Sequence, residues 1–436
     1  MAAAMLGCWS LLLGVGLLML GNGLQGTLLG VRAGMEGFAT ATTGAVMTCY
    51  YLGFFAGSIL APRLVRRVGH IRVFAALASI ASVAVLYCSL FVDPYSWAAM
   101  RLISGFAMAG LYVVAESWLN DQSSNETRGR LLSIYMVIQL AGMAGAQMLL
   151  NVGDPGGFEL FLLISVLVSV ALVPILLTVA PAPRFDAPAR LGLRSLLTIS
   201  PLGVIGCMGV GMAHGGVFGM GAVYAERAGL SVAEISIFMA AVLIGGVLLQ
   251  WPIGRLSDRF DRRIVITLVT FAAAAAALGA YWATAVDYRL TVLLFGLFGG
   301  FSLPLYSLCL AHANDYLEHD QMVSASAGLV MISGLGACIG PLSVALAMSS
   351  VGPQGFYWYL TLIHGLIGLF ALYRMSQRRS LPREEQGPYV AIAPRASSWA
   401  AAVGPSEVRE QLDREAEEDA APAPDLPLDA AFNRGG

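Results

Sequence analysis

Two groups of residues in this 436-residue chain place charge where charge is costly. The first is Arg101 with Glu116, both inside an apolar run from about residue 97 to 119. Desolvation disfavours the charged form of a carboxyl group in such surroundings. Glu116 is therefore suited to take up and release a proton as its access to water changes. Fifteen residues separate the pair, about 22 Å along a helix rising 1.5 Å per residue, so they do not bond to each other. Arg101 suits either a substrate anion or backbone carbonyls, and the plainer reading of Glu116 is a structural hydrogen bond to a helix end or to Trp118.

The second group is the stretch Gly254-Arg255-Leu256-Ser257-Asp258-Arg259-Phe260-Asp261-Arg262-Arg263, set between two long apolar runs. Asp258 with Arg259, Arg262 and Arg263 can form charge-assisted hydrogen bonds at helix ends, a clamp that forms in one state of the molecule and breaks in another. The competing reading is that these arginines only fix orientation in a membrane.

Uncharged polar residues punctuate other apolar runs. Asn22 and Gln25 stand one helical turn apart, Gln139 and Gln147 two turns apart, and His214, Gln250, Tyr306 and His312 lie further on. Polar groups facing hydrocarbon are costly, so they point inwards. Asn22, Gln25, Arg101, Gln139, His214 and Tyr306 are thus the candidate lining of a solute cavity. For each, the alternative is an interhelical hydrogen bond, worth about 0.6 kcal/mol on average. His214, His312 and His364 fall in different runs with no i, i+4 partner, which argues against a metal site. Cys8, Cys49, Cys88, Cys207, Cys309 and Cys338 are likewise scattered one to a run, as expected of small buried hydrophobes rather than a disulfide or zinc framework. The glycines from 206 to 221 follow no strand, so no nucleotide loop and no cofactor is implied.

The elements that must hold these residues follow from composition. The chain is 57% hydrophobic and 12% charged, with mean hydropathy +0.73, against about 25% charged for a soluble domain. Most of its surface therefore never meets water. About twelve apolar runs, beginning near 5–31 and ending near 355–374, are each long enough to cross a bilayer at about 20 residues. Their backbone groups must be satisfied internally, so they are helices. No lysine occurs, and all 25 basic residues are arginine; the net charge of −2 gives no basic field for nucleic acid.

Arginine placement sets the expected orientation. Arg63, Arg66, Arg67 and Arg72, then Arg128 and Arg130, then Arg184, Arg190 and Arg194, then the 254–263 cluster, all fall on one side, and Arg32, Arg227 and Arg289 on the other. This asymmetry puts both termini in the cytoplasm. The expected organisation is an N-terminal six-helix half over 1–180, a cytoplasmic linker over 181–199 and a C-terminal half over 200–374. A disordered cytoplasmic tail over 375–436 follows, rich in Pro, Ala, Glu, Asp and Arg. The apolar N-terminus reads as a retained first helix.

The halves also repeat in the same direction. Arg32-Ala33-Gly34 recurs as Arg227-Ala228-Gly229, Leu111-Tyr112 as Leu305-Tyr306, Asn120-Asp121 as Asn314-Asp315, and Gly142 falls on Gly336. The nearly constant offset is the signal. Parallel repeats about an axis along the membrane normal place a substrate near the midplane between them.

On these residues the chain resembles the major facilitator superfamily over nearly all of residues 5–374. The 254–263 stretch is similar to that family's signature loop, Arg101-x-x-x-Gly105 with Ala109-Gly110 to its second motif, and Gly336-x-x-x-Gly340-Pro341 to a glycine-rich packing motif. Ala115–Asn120 and Pro304-Leu305-Tyr306 resemble the bacterial YcaD-like branch. The resemblance implies an all-α membrane protein of two pseudo-symmetric six-helix bundles. It further implies a cavity lined by the first, fourth, seventh and tenth spans, and a monomer in the bacterial inner membrane. There are departures. The loop after the second span, residues 57–70, keeps glycines and arginines but has no acid, which leaves Asp258 as the better gate acid. Gly142-Met-Ala-Gly145 lacks the following proline of many drug–proton antiporters. The expected function is secondary transport of a small solute by alternating access, coupled to protons through Glu116, and not enzymatic catalysis. The alternatives are an uncoupled facilitator and a transporter-derived receptor signalling through the tail.

Overall fold

The computed structural model describes residues 2–121, 125–177, 192–317, 319–377, 382, 386–387 and 389–392. Each apolar run has become a helix, because a segment that cannot hydrogen-bond to lipid closes its own backbone bonds. In order these are α1 (Ala2–Met35), α2 (Thr40–Val68), α3 (His70–Leu90), α4 (Pro94–Asp121), α5 (Asn125–Leu149) and α6 (Glu159–Leu176), then a short α7 (Leu193–Ile199). There follow α8 (Pro201–Arg227), α9 (Val232–Arg259), α10 (Arg262–Ala283), α11 (Tyr288–Asn314), α12 (His319–Val351) and α13 (Gly355–Gln377). Twelve of them, all but α7, are long and apolar enough to cross a membrane. An even number of crossings brings α13 back to the side where α1 begins. That side is the terminal end below, and the other the opposite end.

Local chemistry fixes where helices stop. α1 and α8 are each followed by a glycine with positive φ, Gly37 at 72° and Gly229 at 80°, a left-handed cap that other residues adopt only with strain. Ser231 and Glu234 close a reciprocal capping box at the start of α9. Asp261 caps α10, its Oδ1 accepting from the Arg263 amide at 3.0 Å.

The packing repeats as the sequence does. In the first half α1 packs on α5 and α6, α2 on α4, and α3 on α4 and α6; in the second, α8 packs on α12 and α13, α9 on α11, and α10 on α11 and α13. Backbones touch at matched places. A Cβ at Gly105 would collide with the Tyr50 carbonyl of α2, and one at Gly299 with the Val242 carbonyl of α9. Small residues permit this approach where dispersion, not water expulsion, holds helices together. Outward-facing leucines such as Leu248, Leu293 and Leu362 are more than half exposed, an apolar mantle of the extent that marks a membrane surface.

The halves meet through α1 on α8, α2 on α12 and α5 on α9, pairs that exchange under the same two-fold relation. Polar seam contacts lie at the opposite end. Arg227 Nη2 donates to the Phe38 carbonyl at 2.5 Å, and Asn151 Nδ2 to Ser236 Oγ at 2.9 Å. Gly44 of α2 also lies there, against Pro341 and Ala345 of α12.

Two expectations meet differences. Residues 193–199 of the linker form α7; positions 181–191 lie outside the described residues. Of the 375–436 tail, 375–377 continue α13, and 386–387 with 389–392 are docked on the C-terminal half rather than disordered. The stretch 409–419, a possible short helix or a solvated charged segment from its sequence, lies outside the described residues.

Candidate functional site

A cavity of about 700 Å³, part of it open to solvent, lies between the halves. One wall comes from α2 through Tyr50, Tyr51, Phe54, Phe55 and Ser58. The facing wall comes from α8 with His214 and Phe218, α11 with Tyr306, and α12 with Ser333 and Met331. No lining residue is Asp, Glu, Lys or Arg. The cavity is thus an aromatic chamber with a few hydroxyl groups and one imidazole, the mixture of apolar wall and sparse polar groups that orients a small ligand.

His214 and Tyr306 therefore line the cavity, while Asn22, Gln25 and Arg101 stand behind it. The Tyr50 hydroxyl donates to Asn22 Oδ1 at 2.9 Å, and the Arg101 guanidinium lies 4.2 Å from the centre of the Tyr50 ring. Gln25 Nε2 donates to Ser104 Oγ at 3.5 Å. Asn22 of α1 and Arg101 of α4 thus hold Tyr50 rather than line the chamber, and Gln25 ties α1 to α4. The lining helices are α2, α8, α11 and α12: α8 and α11 are the seventh and tenth spans, as expected, while the second and eleventh spans, α2 and α12, stand where the first and fourth were expected. The sequence reading missed the α2 aromatics, because a run of Tyr and Phe in an apolar helix has no mark separating cavity wall from lipid face.

Glu116 is fully buried in α4, away from the chamber, and Oε1 accepts from the Tyr135 hydroxyl of α5 at 3.0 Å. One partner is thus a phenol on a neighbouring helix. Gln139, one turn beyond Tyr135, is also buried. The adjacent Ser117 Oγ pairs with His70 Nε2 at 3.0 Å.

The C-terminal half contains a polar chain that spacing did not reveal. His364 Nδ1 lies 2.8 Å from the Leu360 carbonyl, which can only accept, so Nδ1 carries the hydrogen. In the neutral ring Nε2 then accepts from Ser302 Oγ at 3.0 Å. His214 Nε2 lies 3.2 Å from the Ser302 carbonyl and 3.4 Å from its Oγ, so it is the donor to both. The bonds run in one direction, from the cavity wall through Ser302 into α13. No group of three or more His, Cys, Asp or Glu side chains suited to a metal is present among the described residues.

The 254–263 cluster is organised around Arg262, which is 1% exposed. Its Nη1 donates to both carboxylate oxygens of Asp315 at 2.5 and 2.6 Å, and its Nε to Ser257 Oγ at 2.9 Å. Asp258, expected as the principal acid, is 45% exposed and 3.9 Å from Arg262. Arg263 pairs with Asp261 at 2.9 Å, and Arg259 is exposed at the end of α9. Burial raises the Asp261 carboxyl, but hydrogen bonds from Arg263 outweigh it and hold the group below its ordinary value. All these pairs lie within the C-terminal half. Gly254 is covered by the ring of Tyr389, whose Cδ1 would lie 2.5 Å from a Cβ there. Asp315 was foreshadowed only as the repeat of Asp121, and that repeat was the signal available.

Comparison with known proteins agrees with this architecture. The sequence matches the Major Facilitator Superfamily over residues 11–285 and 226–409. It is 27% identical over 374 residues to "Uncharacterized MFS-type transporter YcaD" of Escherichia fergusonii, covering 85% of this chain and 96% of that protein. It is 28% identical over 342 residues to the same-named protein of Escherichia coli O45:K1, covering 78% and 88%. Among solved structures, a mutant of the nucleoside transporter NupG superposes with a TM-score of 0.71 at 14% identity, covering 84% of this chain and 98% of that one. A D-xylose–proton symporter superposes with a TM-score of 0.67 at 12% identity, covering 87% and 98%.

Proposed function

Because the chain belongs to the major facilitator superfamily, within its YcaD-like branch, we propose that its membrane transport is secondary transport of an uncharged, flat-faced amphipathic solute by alternating access. The observation that carries this reading is the chamber itself, walled by both halves and free of charged side chains. A charged solute would lose its hydration there and gain no counter-ion. A solute with a flat apolar face gains contact with Tyr50, Phe54, Phe55 and Phe218, while Tyr306, His214 and Ser333 offer hydrogen bonds.

The seam at the opposite end closes that side of the chamber. The arginine asymmetry makes the terminal end cytoplasmic, so this is the inward-facing state of a multi-pass protein of the bacterial inner membrane that works as a monomer. Transport requires the halves to rock until the terminal end closes and the seam parts. Coupling runs through Glu116. Five residues from the last residue of α4 it is about 8 Å from the terminal end, and it can gain a proton while keeping the Tyr135 bond. No step uses a cofactor.

The test is proton flux into proteoliposomes with an internal pH-sensitive dye. The solute panel is graded by charge and flatness, with Glu116→Gln run beside wild type. The expected outcome is a flux evoked by neutral aromatic solutes and lost in Glu116→Gln while solute binding persists. Flux evoked only by anions or cations would overturn the substrate class, and unchanged flux in the variant would remove Glu116 from coupling.

A further inference from the structure

Residues 386–387 and 389–392 return across the terminal end and lie along α9, α10 and α11. The Gly387 amide donates to Asp315 Oδ1 at 3.0 Å, and its carbonyl accepts from Arg262 Nη2 at 2.6 Å. The Tyr389 amide donates to Asp258 Oδ1 at 2.8 Å. The Ile392 amide donates to Ser307 Oγ at 2.9 Å, and that hydroxyl lies 3.2 Å from the Ile392 carbonyl. Ile392 is 4% exposed, Tyr389 and Val390 pack against the core, and the Tyr389 ring seals Gly254.

The depth of this docking is informative. Ser307 lies eight residues before Asp315, about 12 Å up α11. Five extended residues, from 387 to 392, span at most about 17 Å, so the segment climbs from the helix ends nearly to cavity depth. Ser307 adjoins Tyr306, which lines the chamber. The segment also satisfies Arg262, the buried centre of the charge cluster, with a carbonyl from outside the bundle.

From this geometry we infer that residues 386–387 and 389–392 form a strap that occupies the terminal-end groove between α9 and α11 and holds the molecule open at that end until it is released. The inference rests on the alternating-access reading. Closing the terminal end brings the first half against this same face, and the strap must leave or yield first. Its removal shifts the population towards the closed form.

The test is a distance distribution by double electron–electron resonance in the full chain, reconstituted in nanodiscs. Spin labels go at Arg66→Cys on α2 and Phe260→Cys after α9, both exposed, in a background free of other reactive thiols. Tyr389→Ala with Ile392→Asp disables the strap. A rise of about threefold in the short-distance population is expected, reversed by adding a peptide copying residues 386–392. Asp258→Ala, which removes one strap contact, gives a smaller rise and guards against misfolding of the double variant. Unchanged distributions in variants that melt as wild type overturn the strap. The measurement needs no solute, so a silent transport assay with a shifted distribution rejects the transport reading's substrate, not the strap, and the converse rejects the strap alone.

Discussion

The two halves share a helical scaffold and differ in where they keep their polar groups. In the register that carries Leu111 onto Leu305, Arg101 falls on Phe295, Ser104 on Phe298, Met108 on Ser302 and Glu116 on Leu310. At each of these four positions the polar residue of one half is apolar in the other. The first half buries a carboxyl group against a phenol, and the second a chain of imidazoles through a serine. The terminal ends diverge as well. α3 begins on His70 after an uncapped glycine and bonds Ser117; α10 begins on Arg262 after a capping aspartate and bonds Asp315. Repetition supplied the frame, and among the described residues the C-terminal copy carries the buried charge centre that holds the tail.

Substitutions at the matched helix starts should break this contrast if it is wrong. Arg262→Ala removes the bidentate cationic partner of the buried Asp315 carboxylate, at a cost of roughly 3–5 kcal/mol. His70→Ala loses the buried hydrogen bond to Ser117, about 1–3 kcal/mol. Unfolding midpoints of detergent-solubilised protein should rank the two in that order, and equal losses would erase the distinction between the ends.

The shared scaffold should respond alike. Gly105→Val and Gly299→Val each drive a side chain into a backbone carbonyl of the paired helix. Both should lower the unfolding midpoint by a similar amount, on the order of 1–3 kcal/mol. A large loss in one half only would mean that the crossings are not equivalent.

How far the molecule could be read in advance follows the range of the interactions involved. The spans were legible because burial in lipid imposes length and composition on each alone. Their ends were less so: the apolar run of α9 stops near residue 253, yet the helix continues to Arg259, since leaving hydrocarbon does not require leaving helix. The charge cluster was legible as a cluster, but not its pairing, because Asp315 reaches Arg262 from 53 positions away. His214 and His364 meet only through Ser302, 88 and 62 positions off, and no local spacing encodes that. The tail's composition argued for disorder, yet its docking uses backbone groups that every residue carries.

The smallest effect concerns acid. Asp261 has its folded-state pKa depressed, so its contribution is present above the unfolded carboxylate value and is lost as pH falls through the folded value. Melting measured from about pH 6 down to about pH 3 should show a slightly shallower acid destabilisation in Asp261→Asn than in wild type. The first half, with Gly69 at the matching cap, has no counterpart to this slope.

The strap is fastened to the bundle by the eight residues between Gln377 and Gln386, a tether of at most about 30 Å. Chains this short keep a docking segment at millimolar effective concentration. Contacts too weak to capture the same peptide from solution therefore suffice to hold it in place. Its occupancy is set by tether length as much as by any hydrogen bond, so a single cut in that stretch would disperse the strap without altering one of its contacts.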